Sequence, residues 1–260
     1  MPGRTEFIQT IGKALGRGAG NAGDADVFTT TASLEQEALL ARIKTRSAAE
    51  RKQLRDIVEQ VAGPLHIDFH PEDNLGDIAG AIGRLILEKD PEWGTEKSVV
   101  RWDHPLLSRL HLESLAELDG VTLHTTHCVP GGLDAKVSSA AQRSAIRENV
   151  EASFIGITSA DYLVAATATL AMRSRQGHAR SASLVPSIHI VVIEEEKLLA
   201  NLEELYTLLK WDPEEQAQGL TNCLSLISGP SKTGDIELVM VHGAHGPREL
   251  HLFIVKGEAS

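Results

Sequence analysis

Apolar residues recur along this chain with two different periods, and the alternation between them sets the expected fold class. Leu75, Ile78, Ala79, Ile82, Leu85 and Ile86 keep the spacing that lines one face of a helix. Ser33, with Gln36 three residues on, forms a capping box and predicts a long helix. That helix has a charged middle (Arg42 to Arg55) and an apolar stripe at Leu54, Ile57, Val58 and Val61, and Gly63-Pro64 stops it. Shorter helical patterns cover 5–15 and Ser138 to Ala152. Strand character appears at His66 to Phe69, Ser98 to Trp102, Val121 to His124, Thr167 to Met172, Cys223 to Ile227 and Leu250 to Val255. Phe154-Ile-Gly-Ile reads as a strand passing into a helix capped by Thr158 or Ser159. Ser187 to Ile193 is too apolar to be half exposed, which makes it a central strand. Glu194-Glu-Glu196 then opens a helix with Leu198, Leu202, Leu205, Tyr206 and Leu209 along its stripe. Strands alternating with helices mean βαβ units and a mostly parallel sheet. The expectation is an α/β domain over 63–260 behind a helical N-terminal extension over 1–62.

The densest polar chemistry follows two of the apolar runs. Ile227-Ser-Gly-Pro-Ser-Lys-Thr-Gly-Asp-Ile-Glu237 gathers hydroxyls (Ser231, Thr233), a cation (Lys232) and carboxylates around glycines. Leu238-Val-Met-Val ends in a second turn holding His242, His245, Gly246, Pro247 and Arg248. Two such turns suggest a ligand crevice at a sheet edge. Gly229, Ser231, Lys232, Thr233 and Asp235 suit a phosphate or carboxylate, above all if a helix starts there. The competing account is a turn in which Asp235 ties down backbone donors. His245 has the chemistry of a general acid/base and Arg248 that of a bidentate carboxylate clamp, unless the first bonds backbone and the second pairs with a surface acid.

Composition removes several function classes. The chain of 260 residues carries a net charge of −11, against the basic footprint of a general nucleic-acid binder. Its first residues lack a signal peptide's apolar core, and no apolar run approaches the about 18 residues of a membrane span, so a cytoplasmic protein is expected. Gly18, Gly20 and Gly23 match a dinucleotide fingerprint formally, but no strand precedes them and they read as linker. Two cysteines, Cys128 and Cys223, exclude a four-thiolate zinc site or iron–sulfur cluster within this chain. The pairs His124/His127 and His242/His245 lie at strand ends without supporting carboxylates, so no metal is expected in this chain.

Four pieces in order, Gly156-Ile-Thr-Ser-Ala-Asp161, Thr167-Ala-Thr-Leu170, Ser183-Leu-Val-Pro-Ser-Ile-His-Ile190 and the Gly-Pro-Ser-Lys-Thr-Gly-Asp-Ile-Glu stretch with His-Gly-Pro-Arg248, resemble the lactate utilization protein C family, the LUD domain. The resemblance covers about residues 98–256. It implies a three-layer α/β/α core like that of the sugar-phosphate isomerase and CoA-transferase-like group. It also implies a subunit that takes part in oxidising L-lactate to pyruvate beside iron–sulfur companion proteins. The cofactors would then sit on the partners and none in this chain. Through the same motifs Asp161 joins His245 as a candidate catalytic residue, and Thr167 and Thr169 join the ligand-binding set. Where family members read Ala-Glu-Thr-Gly-Thr-Leu, this chain has Ala165-Ala-Thr-Ala-Thr-Leu170: Ala166 replaces a carboxylate and Ala168 a permissive glycine. The rival expectation is a free-standing enzyme or binder for a phosphorylated sugar, CoA ester or folate-like ligand. A third is a scaffold whose polar turns merely close strands.

Overall fold

A computed structural model describes residue 10 and residues 31–92, 94–128, 139–219, 221, 223–234, 240–243 and 245–256. The expected helix over 5–15 and the Gly18–Gly23 segment lie outside these residues, apart from Thr10.

The first described helix, α1 (Leu34–Lys44), starts at the Ser33/Gln36 capping box as expected. The single long helix does not form. Ser47 and Glu50 make a second capping box, so the chain breaks over Thr45–Ser47 and restarts as α2 (Ala48–Ala62). Gly63–Leu65 then makes one 3-10 turn, and His66 leaves it in a left-handed conformation. Next come β1 (Ile67–His70), α3 (Leu75–Glu88), β2 (Ser98–Arg101), the single turn α4 (Pro105–Ser108), β3 (Thr122–Thr125), α5 (Ser139–Ala152) and β4 (Ile155–Thr158).

The chain continues as β5 (Tyr162–Val164), not as the helix expected after Thr158. Asp161, which would have favoured a helix start, instead accepts from the backbone N–H of Arg173 at 2.6 Å. That bond holds β5 against β6 (Thr169–Arg173). β7 (Ile188–Glu194) follows, then β8 (Leu198–Leu199). The helix expected at Glu194 is displaced to α6 (Leu202–Trp211), where Asn201 accepts from the backbone of Glu204. The chain closes with α7 (Pro213–Gln218), β9 (Leu224–Ile227), the hairpin of β10 (Lys232–Gly234) and β11 (Met240–His242), and β12 (Glu249–Val255).

Six strands form a parallel sheet in the order β1-β12-β7-β4-β2-β3. Along β7, Ile190 and Val192 point to one face and Val191 and Ile193 to the other, and all four are fully buried. Both faces are therefore covered, as a parallel sheet requires, and the architecture is three-layer α/β/α. Leu54, Val58 and Ala62 of α2 belong to the same core as the sheet. A smaller sheet, β8-β5-β6-β9, packs Leu163, Leu170 and Met172 against that core. Gly156 permits part of this packing, since a Cβ there would fall on the carbonyl of Ala182.

Candidate functional site

The glycine-bearing loop after β9 is built around the carbonyl of Leu65, at the end of the turn that follows α2. Gly229 has φ +91°, and a Cβ on it would lie 2.6 Å from that oxygen, so only glycine fits. Lys232 is exposed and its Nζ donates to the same oxygen at 3.2 Å. Next to Gly229, three hydroxyls form a row. Thr167 Oγ1 lies 2.7 Å from Thr169 Oγ1, which lies 2.6 Å from Ser228 Oγ. Thr167, Thr169, Gly229 and Lys232 thus gather at one place. No helix starts there, because Lys232 opens β10. Thr233 pairs with Val241 across the hairpin, and Asp235 lies outside the described residues.

The two expected turns do meet. Ser231 donates its N–H to Pro247 and accepts from that of Gly243, at 2.8 and 3.0 Å. The second of them borders a cavity of ≈ 320 Å³ at the amino ends of β4, β7 and β12, lined by Glu92, Ser153, Phe154, Ser187, Gly246 and Arg248 among others. Arg248 holds a carboxylate already: its Nη1 is 2.6 Å from Glu92. His245 is exposed in the same turn. Asp161 is elsewhere, by the far end of β6, where Arg173 and Arg175 enclose it at 2.9 and 2.5 Å. The two candidate catalytic residues therefore do not converge.

At Ala168, where the resemblance led to an expected glycine, the backbone is of the kind glycine favours. Ala168 sits at φ 42°, ψ 41°, in the left-handed region, and is fully buried. A glycine there costs nothing sterically, whereas alanine stores strain of about 1 kcal/mol.

A second constellation lies at the opposite edge of the parallel sheet. The connection from β2 leads outward to β3, while that from β4 leads the other way to β7. Strand order therefore reverses between the neighbours β2 and β4, and ligands of open α/β sheets bind beyond the carboxyl ends at such a point. Directly after β2 stand Trp102, Asp103 and His104; after β3 stand Thr126, His127 and Cys128. His127 Nδ1 is 2.5 Å from Asp103 Oδ2, and both side chains are open to solvent. With Nδ1 directed at the carboxylate, the Nε2 of a neutral His127 is left to accept a proton. His178 stacks on Trp102 with ring centroids 4.6 Å apart and accepts from Arg175 Nε at 3.0 Å. Burial lowers the pKa of His178 and pushes that of His104 down to about 4, so both rings are neutral near pH 7. His104 Nδ1 accepts from the N–H of Leu106, which leaves its proton on Nε2.

Sequence reading overlooked this group as a unit. Asp103-His104 and His127-Cys128 each follow an evident strand, which was a usable signal. What was missing was the order of the strands, and only the order shows that β2 and β4 flank the reversal.

Compared with known proteins, the chain matches the LUD domain family over residues 47–255. It belongs to that family. Lactate utilization protein C of Halalkalibacterium halodurans is 26% identical over 247 residues, covering 94% of each chain. Lactate utilization protein C of Shouchella clausii is 27% identical over 80% of this chain and 81% of its own. A solved DUF162 family protein from Deinococcus radiodurans superposes with TM-score 0.49 at 18% identity, covering 80% of this chain and 98% of that one. The family match begins at 47, so the LUD domain includes α2, whose apolar face lies in the core.

Proposed function

We propose that this LUD-domain protein is a cytoplasmic lactate-utilisation-type subunit that takes part in oxidising L-lactate to pyruvate beside iron–sulfur partner proteins. The observation that carries the reading is the match over 94% of each chain to a relative named lactate utilization protein C. With two cysteines in the whole chain, cluster chemistry would have to reside on partners. No helix among the described residues is long and apolar enough to cross a membrane. The small anionic ligand is assigned to the loop beginning at Gly229, where the Thr167–Thr169–Ser228 hydroxyls lie on one side and Lys232 reaches the Leu65 carbonyl against Gly229 on the other. An anion there would take Lys232 from the Leu65 carbonyl, exchanging a neutral acceptor for a charged one.

Affinity purification from cells growing on L-lactate tests the partnership. Iron–sulfur proteins should co-purify, and deletion should slow growth on lactate. Absence of both effects overturns the reading. For the ligand, Lys232→Ala should weaken binding of L-lactate or pyruvate, measured by calorimetry, at least about tenfold. Equal affinity in both proteins removes the loop from the proposal.

A second reading, a free-standing enzyme for a phosphorylated sugar, CoA ester or folate-like ligand, is favoured by the Asp103–His127 pair. Its position where strand order reverses is that of a general base in a ligand crevice. Thermal stabilisation by such a compound, lost in His127→Gln, would select it over the first.

A further inference from the structure

The outer edge of the parallel sheet carries a group of side chains that neither reading uses. Asp68 and His70 stand two apart on β1 and so share a face; His251, paired in register with Asp68, projects from β12 on that face. Asp68, Glu249 and His251 bring two carboxylate oxygens and an imidazole nitrogen within 4.8 Å of one another. The two nitrogens of His251 have different surroundings. Nδ1 lies 3.1 Å from His70 Nε2 and 3.6 Å from Asp68 Oδ2. Nε2 lies 3.2 Å from Glu249 Oε2, and Lys89 Nζ holds the same oxygen at 2.5 Å.

We propose that His70 Nε2, His251 Nδ1 and the Asp68 carboxylate form a binding site for a divalent transition-metal ion of the zinc or iron(II) class. Spacing is the main reason. Two nitrogens each about 2.05 Å from a tetrahedral zinc lie about 3.3 Å apart, which the His70–His251 approach of 3.1 Å nearly reproduces. Two imidazoles and one carboxylate are the donor set of zinc and non-haem iron, whereas calcium and magnesium take oxygen ligands. The surroundings match as well. A ligating histidine usually donates its other N–H to a carboxylate, and Glu249, steadied by Lys89, is in that place on His251. Phe253 stacks on His70 with centroids 4.2 Å apart and an interplanar angle of 11°, which fixes the ring. Asp68 is 61% exposed, so its carboxylate is free to turn to an ion and the solvent side stays open for water or a ligand.

Cobalt(II) is the probe, because its visible absorption reports nitrogen and oxygen coordination. Chelator-treated full-length protein should take up one cobalt per chain with new visible bands, and zinc should displace it. Asp68→Asn, an exposed change that spares the core, and His70→Ala should each remove the bands. Glu249→Gln should weaken zinc binding about 10–100-fold. His111→Ala, at an exposed histidine away from the cluster, should change nothing. Magnesium should not compete. The proposal fails if folded wild-type protein binds no cobalt or zinc, or if Asp68→Asn and His70→Ala, checked by circular dichroism, bind as tightly as wild type.

Discussion

Arg173 bridges two carboxylates inside the protein: its Nη2 lies 2.9 Å from Asp161 and its Nη1 2.7 Å from Glu215, with the side chain only 3% exposed. Asp161 also accepts from Arg175, and Glu215 accepts from the hydroxyl of Tyr162. Removing the arginine leaves two acids short of their cation in a buried place. Arg173→Ala should therefore cost about 3–5 kcal/mol in urea unfolding, well beyond the effect of a surface arginine. A loss below about 1 kcal/mol would mean that water reaches the acids readily.

Glu215 affects Tyr162 as well. Burial and the hydrogen bond to that carboxylate raise the tyrosine's pKa above the ordinary range. In Tyr206→Phe, which leaves Tyr162 as the single tyrosine, alkaline titration should show no phenolate absorbance until the protein unfolds. A reversible phenolate transition in the native state, near the ordinary value of 10.0, would contradict this.

Gly156 stands in the first family motif for a steric reason, its contact with the carbonyl of Ala182. Gly156→Ala must push the Arg180–Ser183 turn off β4 and should destabilise the protein by about 3 kcal/mol or more, measured by chemical denaturation. Gly63→Ala, where a Cβ meets nothing within 4 Å, is the matched control and should be nearly neutral.

His189 gives the stability a pH dependence. It is fully buried, bonded through Nε2 to Thr158 Oγ1 at 2.8 Å, and burial pushes its pKa from 6.5 down to about 3. Above 6.5 the ring is neutral whether folded or not, and stability is undiminished. As the pH falls from 6.5 towards 3, the unfolded chain gains a proton that the folded one refuses. Stability then drops, by about 1.4 kcal/mol per pH unit well below the unfolded pKa. His104 acts in the same direction down to about 4. Urea midpoints across this window should fall less steeply for His189→Gln than for wild type. Parallel slopes would show that His189 titrates normally.

The strands of the core were legible because their burial on both faces leaves continuous apolar runs: β7 and β12 lie close to their expected spans. The errors fell where tertiary bonds outweigh local preference. Asp161 after a strand looks like a helix cap, yet Arg173, twelve residues on, claims it. Ser47 and Glu50 were readable as a capping box, but the continuous charge pattern around them hid the break. Within the candidate site, the gathering of Thr167, Thr169, Gly229 and Lys232 was carried by motif. The Asp103–His127 and His70–His251 pairs were not readable, since each joins residues of different strands whose adjacency no spacing in one strand encodes.

The placement of β12 also bears on synthesis. It lies between β1 and β7, so the earliest strand of the sheet has no partner until residues 249–255 exist. A ribosome-bound chain would present β1 and one side of β7 as open edges until β12 has been made, and such edges invite pairing with other chains. Sheet closure therefore waits on β12, and nascent chains of this protein are candidates for holding by a chaperone until that strand emerges.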